Sequence, residues 1–392
     1  MKDKLGNHIQ QVRGVSYKPN DLSETLSDGY ITLLRANNIS EGKINFDSVQ
    51  FVSSSKVSSE QILKTNDILV CSSSGSLSLV GKSALYKKTG EHTFGAFCKV
   101  VRATGKLLPQ YIAFYMCSQA YRRHIENIAN GANINNLRNE HLDDILLPIP
   151  SETKQNAIIT KLEKVESVIS HRRAQLAKLD ELVKCRFVEL FGDCRSNPKQ
   201  WATKKLEEIA IVGSSKRVFV EELIDDGIPF YRGTEVGALA EGQQITPELF
   251  ISESHYQALC EASGKPVKGD LLMPSICPDG RIWIVDSDSP FYFKDGRVLW
   301  VHDIHEQYNP VFLQYTLKDR IITDYASIAS GTTFAELKIF TLKSCKIFDV
   351  PLSLQNIFAA FIQRIDKLRF VIQQSLDETQ KLFDSLMQEY FD

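Results

Sequence analysis

Two long stretches of the chain place apolar residues in alternating steps of three and four. In the first, Ile158, Leu162, Val165, Ile169, Leu176, Leu179, Val183 and Leu190 form one stripe, with Arg172 and Arg186 in the remaining slots of the frame. In the second, Leu354, Phe358, Phe361, Ile365, Leu368, Ile372, Leu382 and Leu386 repeat the spacing, with Ser375 and Thr379 as polar slots. A 3.5-residue period sustained this long predicts helices that pair along a coiled-coil seam. Roughly 40 residues at about 1.5 Å each make a helix of about 60 Å. Ser151 and Ser353 are the expected N-caps, because a hydroxyl accepts from a first-turn N–H that has no helical partner. Gly192 and Pro198 are expected to end the first helix. Two helices of equal length are expected to pair antiparallel, as a rod with a globular unit at each end.

The rest of the chain shows shorter patterns. The runs ILVC (68–71), SALY (83–86), CKVV (98–101) and IWIV (282–285) have β composition and are separated by Ser/Gly turns. Helical stretches are expected near residues 109–127 and 310–326. The prediction is a mixed α/β (α+β) fold for each globular unit.

These patterns occur twice. ANGANINNL at 129–137 returns as ASGTTFAEL at 329–337, and DILLPIP (144–150) as CKIFDVP (345–351). A Gln-led helical stretch follows each, and Gln155 and Gln355 keep the displacement of 200. Upstream, Leu34-Arg35-Ala36-Asn37 is echoed by Tyr231-Arg232-Gly233-Thr234, and Asn66-Asp67-Ile68-Leu69 by Gly269-Asp270-Leu271-Leu272. A pseudo-twofold internal repeat follows, with globular units at 1–150 and 200–351, long helices at 151–191 and 352–392, and a linker at 192–199.

Charge divides the repeat unevenly. Residues 1–150 hold 17 Lys+Arg against 13 Asp+Glu, whereas residues 200–350 hold 15 against 22, so the halves carry +4 and −7. Any nucleic-acid reading therefore needs local basic surfaces in the second half. The eight cysteines are scattered with no CxxC, which excludes zinc and thioredoxin motifs and suits reduced thiols in a cytoplasm. No apolar run reaches the roughly 20 residues of a membrane span, and MKDKLGNHIQ lacks a signal-peptide core.

Catalytic motifs are only approached. Between Gly75 and Gly81, ahead of Lys82-Ser83, lie five residues where a P-loop needs four. Pro278-Asp279 and Glu336-Leu337-Lys338 carry the letters of a nuclease metal site at too long a separation, and the first copy has Asn136-Leu137-Arg138 instead. No catalytic or metal residue is assigned.

Taken in order, two globular units alternating with two long helices, GANINNL followed by LLPIP and a Gln-led helix, and the junction ELFGDCRSNPKQW (189–201) resemble the specificity subunits of Type I restriction–modification systems. The resemblance covers essentially the whole chain. It implies a non-catalytic subunit whose globular units are target recognition domains, each reading half of a bipartite, asymmetric sequence in double-stranded DNA. It implies helices that set the spacer and dock methyltransferase subunits, two of them, which carry S-adenosylmethionine. It also implies restriction/translocase subunits that use ATP and Mg, so that this chain holds no cofactor. A coiled-coil scaffold that binds no DNA, or a reader subunit of another restriction or methylation complex, are the alternatives.

Base readout needs paired donors and acceptors, and phosphate contact needs cations, hydroxyls and main-chain amides. The candidates in the first unit are Arg35, Asn37, Asn38, Ser73, Ser74, Ser76, Lys82, Asn133 and Asn135. In the second they are Arg232, Thr234, Glu235, Ser275, Arg281, Lys294, Arg297, Thr332 and Thr333. The acidic balance of the second unit, and Thr333 and Ala335 in place of Asn133 and Asn135, are its departures from the first.

Overall fold

Of the short β-prone runs, ILVC and CKVV form inner strands of a small sheet, whereas SALY and IWIV supply edge strands. The computed structural model describes residues 2–76, 78–132, 136–330 and 335–392, in two units: Met1–Gln175 with Ile372–Asp392, and Leu176–Val371. In the first unit, strands Ile9–Arg13, Cys98–Ala103, Ile68–Cys71 and Ser83–Leu85 lie in that order, all antiparallel. A second sheet runs His92–Phe94, Tyr30–Leu34, Gln50–Ser53 and Leu22–Ser23, with only the first pair parallel. All four residues of Ile68–Cys71 are buried, which explains an apolar run without alternation.

The second unit repeats the scheme. Its antiparallel sheet runs Ile211–Gly213, Val298–His302, Leu271–Pro274 and Trp283–Ile284. Its smaller sheet again joins a parallel pair, Ile228–Tyr231 with Tyr292–Phe293, to an antiparallel neighbour, Phe250–Ile251. The helical stretches are Pro109–Tyr115 and Gln119–Ala132 in the first unit, and the single helix Pro310–Ile328 in the second.

The long helices are Glu152–Phe191 and Leu352–Phe391, 40 residues each. Within the first unit, Ile158, Ile159 and Leu162 share a core with Leu386, Met387 and Phe391. Within the second, Val183, Phe187 and Phe191 share one with Phe358, Ile362 and Ile365. In both, rising numbers on one helix meet falling numbers on the other, so the pairing is antiparallel. Ile169 is buried, and Val165, Leu176, Leu179, Phe361 and Ile372 are half-buried.

Three expectations are corrected. Leu368 and Leu382 are 53% and 50% exposed and lie off the seam. Arg369, which pairs with Asp180 at 2.7 Å, and Phe383, 6.5 Å from the Phe114 ring, face the neighbouring elements instead. The frame takes a step of four after Ile365, which places a charged residue where an apolar count selects its neighbour. Ser353 falls inside the first turn, because the helix already begins at Leu352. Ser151 does accept from the Lys154 N–H, at 3.4 Å. The first helix stops where Gly192 turns to φ 86°, a conformation a side chain would strain.

Each long helix is tied to its unit by one buried glutamine. Gln155 Oε1 accepts from the Leu108 N–H at 2.8 Å, and its Nε2 donates to Lys106 O at 2.9 Å and Pro150 O at 3.0 Å. Gln355 repeats this with the Asn309 N–H at 2.8 Å, Gln307 O at 3.0 Å and Val350 O at 2.9 Å. Both side chains are fully buried. Replacing Gln355 with Ala strands those backbone groups without water, at about 1–3 kcal/mol for an unsatisfied group. Urea unfolding of Gln355→Ala should therefore show a clearly lower midpoint, and Gln155→Ala a similar loss. Midpoints equal to that of the unchanged chain would show that water replaces the clamp.

Candidate nucleic-acid interface

In each unit the last backbone bond of the antiparallel sheet gathers three loop segments at one edge. In the first, the Ser72 N–H donates to Phe97 O at 2.9 Å, and the Leu137 N–H donates to Ser72 O at 2.7 Å. In the second, the Ser275 N–H donates to Arg297 O at 2.9 Å, and the Leu337 N–H donates to Ser275 O at 2.8 Å. The serine that follows an inner strand, the turn before the last strand and the segment that reaches Leu137 or Leu337 thus meet in both copies. Asn133, Asn135, Thr332 and Thr333 lie outside the described residues.

Around the first edge, Ser73 bridges to Asn136, which is exposed. Ser74 Oγ accepts from the Ser76 N–H at 3.2 Å, and Ser76 itself is exposed. The turn at Gly95 is closely flanked: a methyl group there would lie 3.3 Å from Tyr17 Cε1 and 3.9 Å from Arg35 Cγ. Arg35 is half-buried, and its Nε is buried with no hydrogen-bond partner among the described residues. Asn37 is exposed. Asn38 is not available to a ligand. It is 1% exposed, its Oδ1 accepts from the Arg35 N–H at 2.8 Å, and its Nδ2 donates to Asn45 O and Ser48 O at 2.9 and 3.0 Å. It holds the turn that presents its neighbours. Lys82 is exposed and lines a cleft of about 1010 Å³ together with Phe46, Phe114, Glu166 and Arg173.

The second edge has a different charge. Lys294 takes the place of Gly95, its N–H donating to Tyr231 O at 2.9 Å as Gly95 does to Leu34 O at 3.0 Å. A cleft of about 310 Å³ lies between residues 217–220 and 294–297, lined by Arg217, Val218, Phe219, Val220, Lys294, Asp295 and Arg297. It gathers three cations against one carboxylate inside a unit whose balance is acidic. Phe219 and Val220 stay 56% and 76% exposed, with the Arg217 guanidinium 6.0 Å from the Phe219 ring. An exposed ring among cations suits an anionic polymer with stackable bases.

Several expected contacts in this unit are already spent. Ser275 is 2% exposed and serves the fold through its backbone. Arg232 is bound by Glu235, at 3.1 Å from Nε to Oε1, and by Glu248, at 3.1 Å from an Nη. Thr234 is exposed, with its hydroxyl donating to Glu235 Oε2 at 2.9 Å. Arg281 pairs with Asp279 at 2.8 Å and faces Gly237. Arg297 remains largely exposed while paired with Glu336. Tyr17, Phe97, Arg217 and Phe219 were not among the sequence candidates. The one available signal was the basic-aromatic run Lys216-Arg217-Val218-Phe219.

No group of three metal-ligating side chains occurs among the described residues, and no helix among them is long and apolar enough to cross a membrane.

Comparison with known proteins yields a consistent match. The family described as Type I restriction modification DNA specificity domain matches residues 16–181 and again residues 198–379. The Type I restriction enzyme StySPI specificity subunit of Salmonella potsdam is 38% identical over 173 residues, covering 44% of this chain and 37% of that protein. The EcoKI specificity subunit of Escherichia coli K12 is 36% identical over 173 residues, with the same shares covered. The matched stretch spans little more than a third of those relatives' length. A solved S subunit of a Type I restriction–modification system from M. genitalium shares the fold, with a TM-score of 0.58 at 16% identity, covering 100% of this chain and 96% of that one.

The Arg232–Glu235 pair makes a pH prediction. Burial pushes the Glu235 carboxyl up, but hydrogen bonds from the Arg232 guanidinium and from backbone N–H groups outweigh it and hold it at about 2, below its ordinary 4.5. A carboxyl depressed in the folded state contributes stability that is complete above 4.5 and is lost as pH falls toward 2. The stability difference between the unchanged chain and Glu235→Gln should be constant near neutrality and shrink steadily below pH 4.5. A difference that stays constant down to about pH 3 would show that the carboxylate is not held by the arginine.

Proposed function

Because the chain belongs to the Type I restriction modification DNA specificity domain family, we propose that it is a sequence-specificity subunit that reads double-stranded DNA. Each unit reads one half of a bipartite, asymmetric target through the edge formed at Ser72, Phe97 and Leu137, or at Ser275, Arg297 and Leu337. The observation that carries this reading is the duplicated edge. One hydrogen-bond scheme recurs in two units while the side chains presented on it diverge, as expected of two readers with different sequences to recognise.

Contacts divide by chemistry. Arg217 and Lys294 suit phosphate, which positions a protein on the duplex without reading it. Arg35, half-buried beside the edge, and the exposed Asn37 suit base edges. The exposed apolar residues Val168, Leu182, Val188, Ile357, Phe370 and Val371 on the long helices offer docking surface for methyltransferase subunits, two of which accompany such a reader. S-adenosylmethionine, ATP and Mg are then held by partner subunits, including the restriction subunits, and this chain does no covalent chemistry itself. Its place of action is the cytoplasm. A coiled-coil scaffold that binds no DNA accounts for the helices and the acidic second unit, but not for cations gathered beside an exposed ring.

Selection of a randomised duplex library by the full chain, with the subunits that purify with it, tests the reading. The expected result is enrichment of two short blocks separated by a fixed gap. Replacing residues 200–350 with the matching unit of a relative should change one block and spare the other. Recovery of unselected DNA would leave the scaffold reading in its place. Binding should also weaken steeply with salt, and Arg217→Ala should lower the logarithmic salt slope by about 0.9 without altering the selected sequence. A changed sequence at constant slope would make Arg217 a base reader.

A further inference from the structure

One exposed side chain at the first edge packs into no apolar cluster among the described residues. The Phe97 backbone is pinned, because its carbonyl accepts from both the Ser72 N–H at 2.9 Å and the Ser73 N–H at 3.1 Å. Its ring is nevertheless 67% exposed and joins none of the apolar clusters among the described residues. The pinned backbone limits how far the ring can withdraw from water.

The counterpart in the second unit is fixed by register. The strand pair Cys71/Cys98 in the first sheet corresponds to Pro274/Val298 in the second. One step beyond each, Ser72 pairs with Phe97, and Ser275 with Arg297. Arg297 is also exposed, its side chain 60% accessible, and Glu336 steadies its guanidinium. The residue that matches Glu336, one before the leucine that donates to the serine, is Asn136 in the first unit. The two copies therefore present different chemistry at one backbone position: an apolar ring beside an amide, and a guanidinium beside a carboxylate.

We propose that this position is a specificity determinant in both units, with Phe97 reading the 5-methyl group of a thymine and Arg297 reading O6 and N7 of a guanine. The inference rests on the DNA-reading assignment above. Two copies that keep one edge geometry place equivalent positions in the same groove. The major groove is the one in which an arginine meets guanine acceptors and an apolar side chain meets a thymine methyl. Small neighbours let the backbone approach: Gly95 and Ala96 precede Phe97, and Gly296, at φ +63° with no atom within 4 Å of an added Cβ, precedes Arg297.

The test uses selected sites of the full chain with its accompanying subunits. Replacing the thymines of the first block one at a time with deoxyuridine removes only the methyl group. One such replacement should weaken binding about fourfold, the worth of one buried methyl. Phe97→Ala should lose both the thymine preference and the deoxyuridine sensitivity. Phe97→Arg should move that base to guanine, and Arg297→Phe should remove a guanine from the other block, each leaving the opposite block unchanged. Three results overturn the inference while leaving the DNA-reading assignment intact. The first is an unaltered sequence logo in Phe97→Ala and Phe97→Arg. The second is indifference of the unchanged chain to every deoxyuridine. The third is an affinity loss in Phe97→Ala with its deoxyuridine sensitivity retained, the mark of a ring wedged between base steps. If the unchanged chain enriches nothing, the DNA-reading assignment fails and this inference with it. The deoxyuridine arm needs no protein variant, so a poorly folding substitution does not block the decision.

Discussion

A single buried amide in each unit decides how a long helix leaves its sheet. The glutamine side chain offers one carbonyl and one NH2, and Gln155 and Gln355 spend both on the same three places. These are the N–H of the residue before a domain helix, a carbonyl two residues earlier, and the carbonyl at the end of the segment that leads into the long helix. Both glutamine side chains are fully buried, so each polar group they bond is satisfied there by protein. Direction, not only strength, follows from this. Three backbone groups on two segments are bonded to one side chain, and the helix cannot swing about its first turn without stranding at least one of them. The edge and the seam are then built on that fixed start.

The seam carries polar layers that apolar packing alone would not require. In the first unit, Arg172 reaches across to Ser375 O and Thr379 Oγ1, the two positions that interrupt the apolar stripe of the other helix. In the second, Arg369 meets Asp180. Leucine layers tolerate a slip of one heptad, whereas a guanidinium that must find a carbonyl and a hydroxyl does not. Such layers trade some stability for a unique register.

Much of this was legible in the sequence. Long-range periodicity marked both helices to within a residue or two, because burial along a seam repeats and composition cannot hide it. A displacement of 200 marks the glutamines, and one that drifts between 197 and 203 marks the strand echoes, because one fold used twice needs the same buried groups twice. The misreadings share a cause. Asn38 and Ser275 have the chemistry of DNA contacts, but sequence shows what a side chain can bond to, not what has already bonded to it. Asn38 is consumed by its own turn. Counting only apolar letters assigns Leu368 and Leu382 to the seam, because it passes over Arg369 beside the one and fixes the wrong phase for the other. Phe97 is hidden in the sequence for the converse reason: an aromatic residue suits a core by composition, and only the structure shows this one left in water.

The acidic second unit shows why net charge is a poor guide to what a surface binds. Residues 200–350 carry seven more acids than bases, yet charges act over about 8–10 Å at physiological salt. Within that radius arrangement outweighs the sum. Arg232 is neutralised by Glu235 and Glu248, and Arg281 by Asp279. Their positive charges are thereby withdrawn from any ligand. Around the cleft the balance turns slightly positive, with Arg217 and Lys294 sharing the one carboxylate of Asp295 and Arg297 paired with Glu336. On the proposed DNA-reading role, acids elsewhere in the unit lower nonspecific attraction to phosphate, and the cations at the cleft supply positioning. A reader that must leave wrong sequences quickly gains from that division, because affinity shared by all DNA contributes nothing to choosing among sequences.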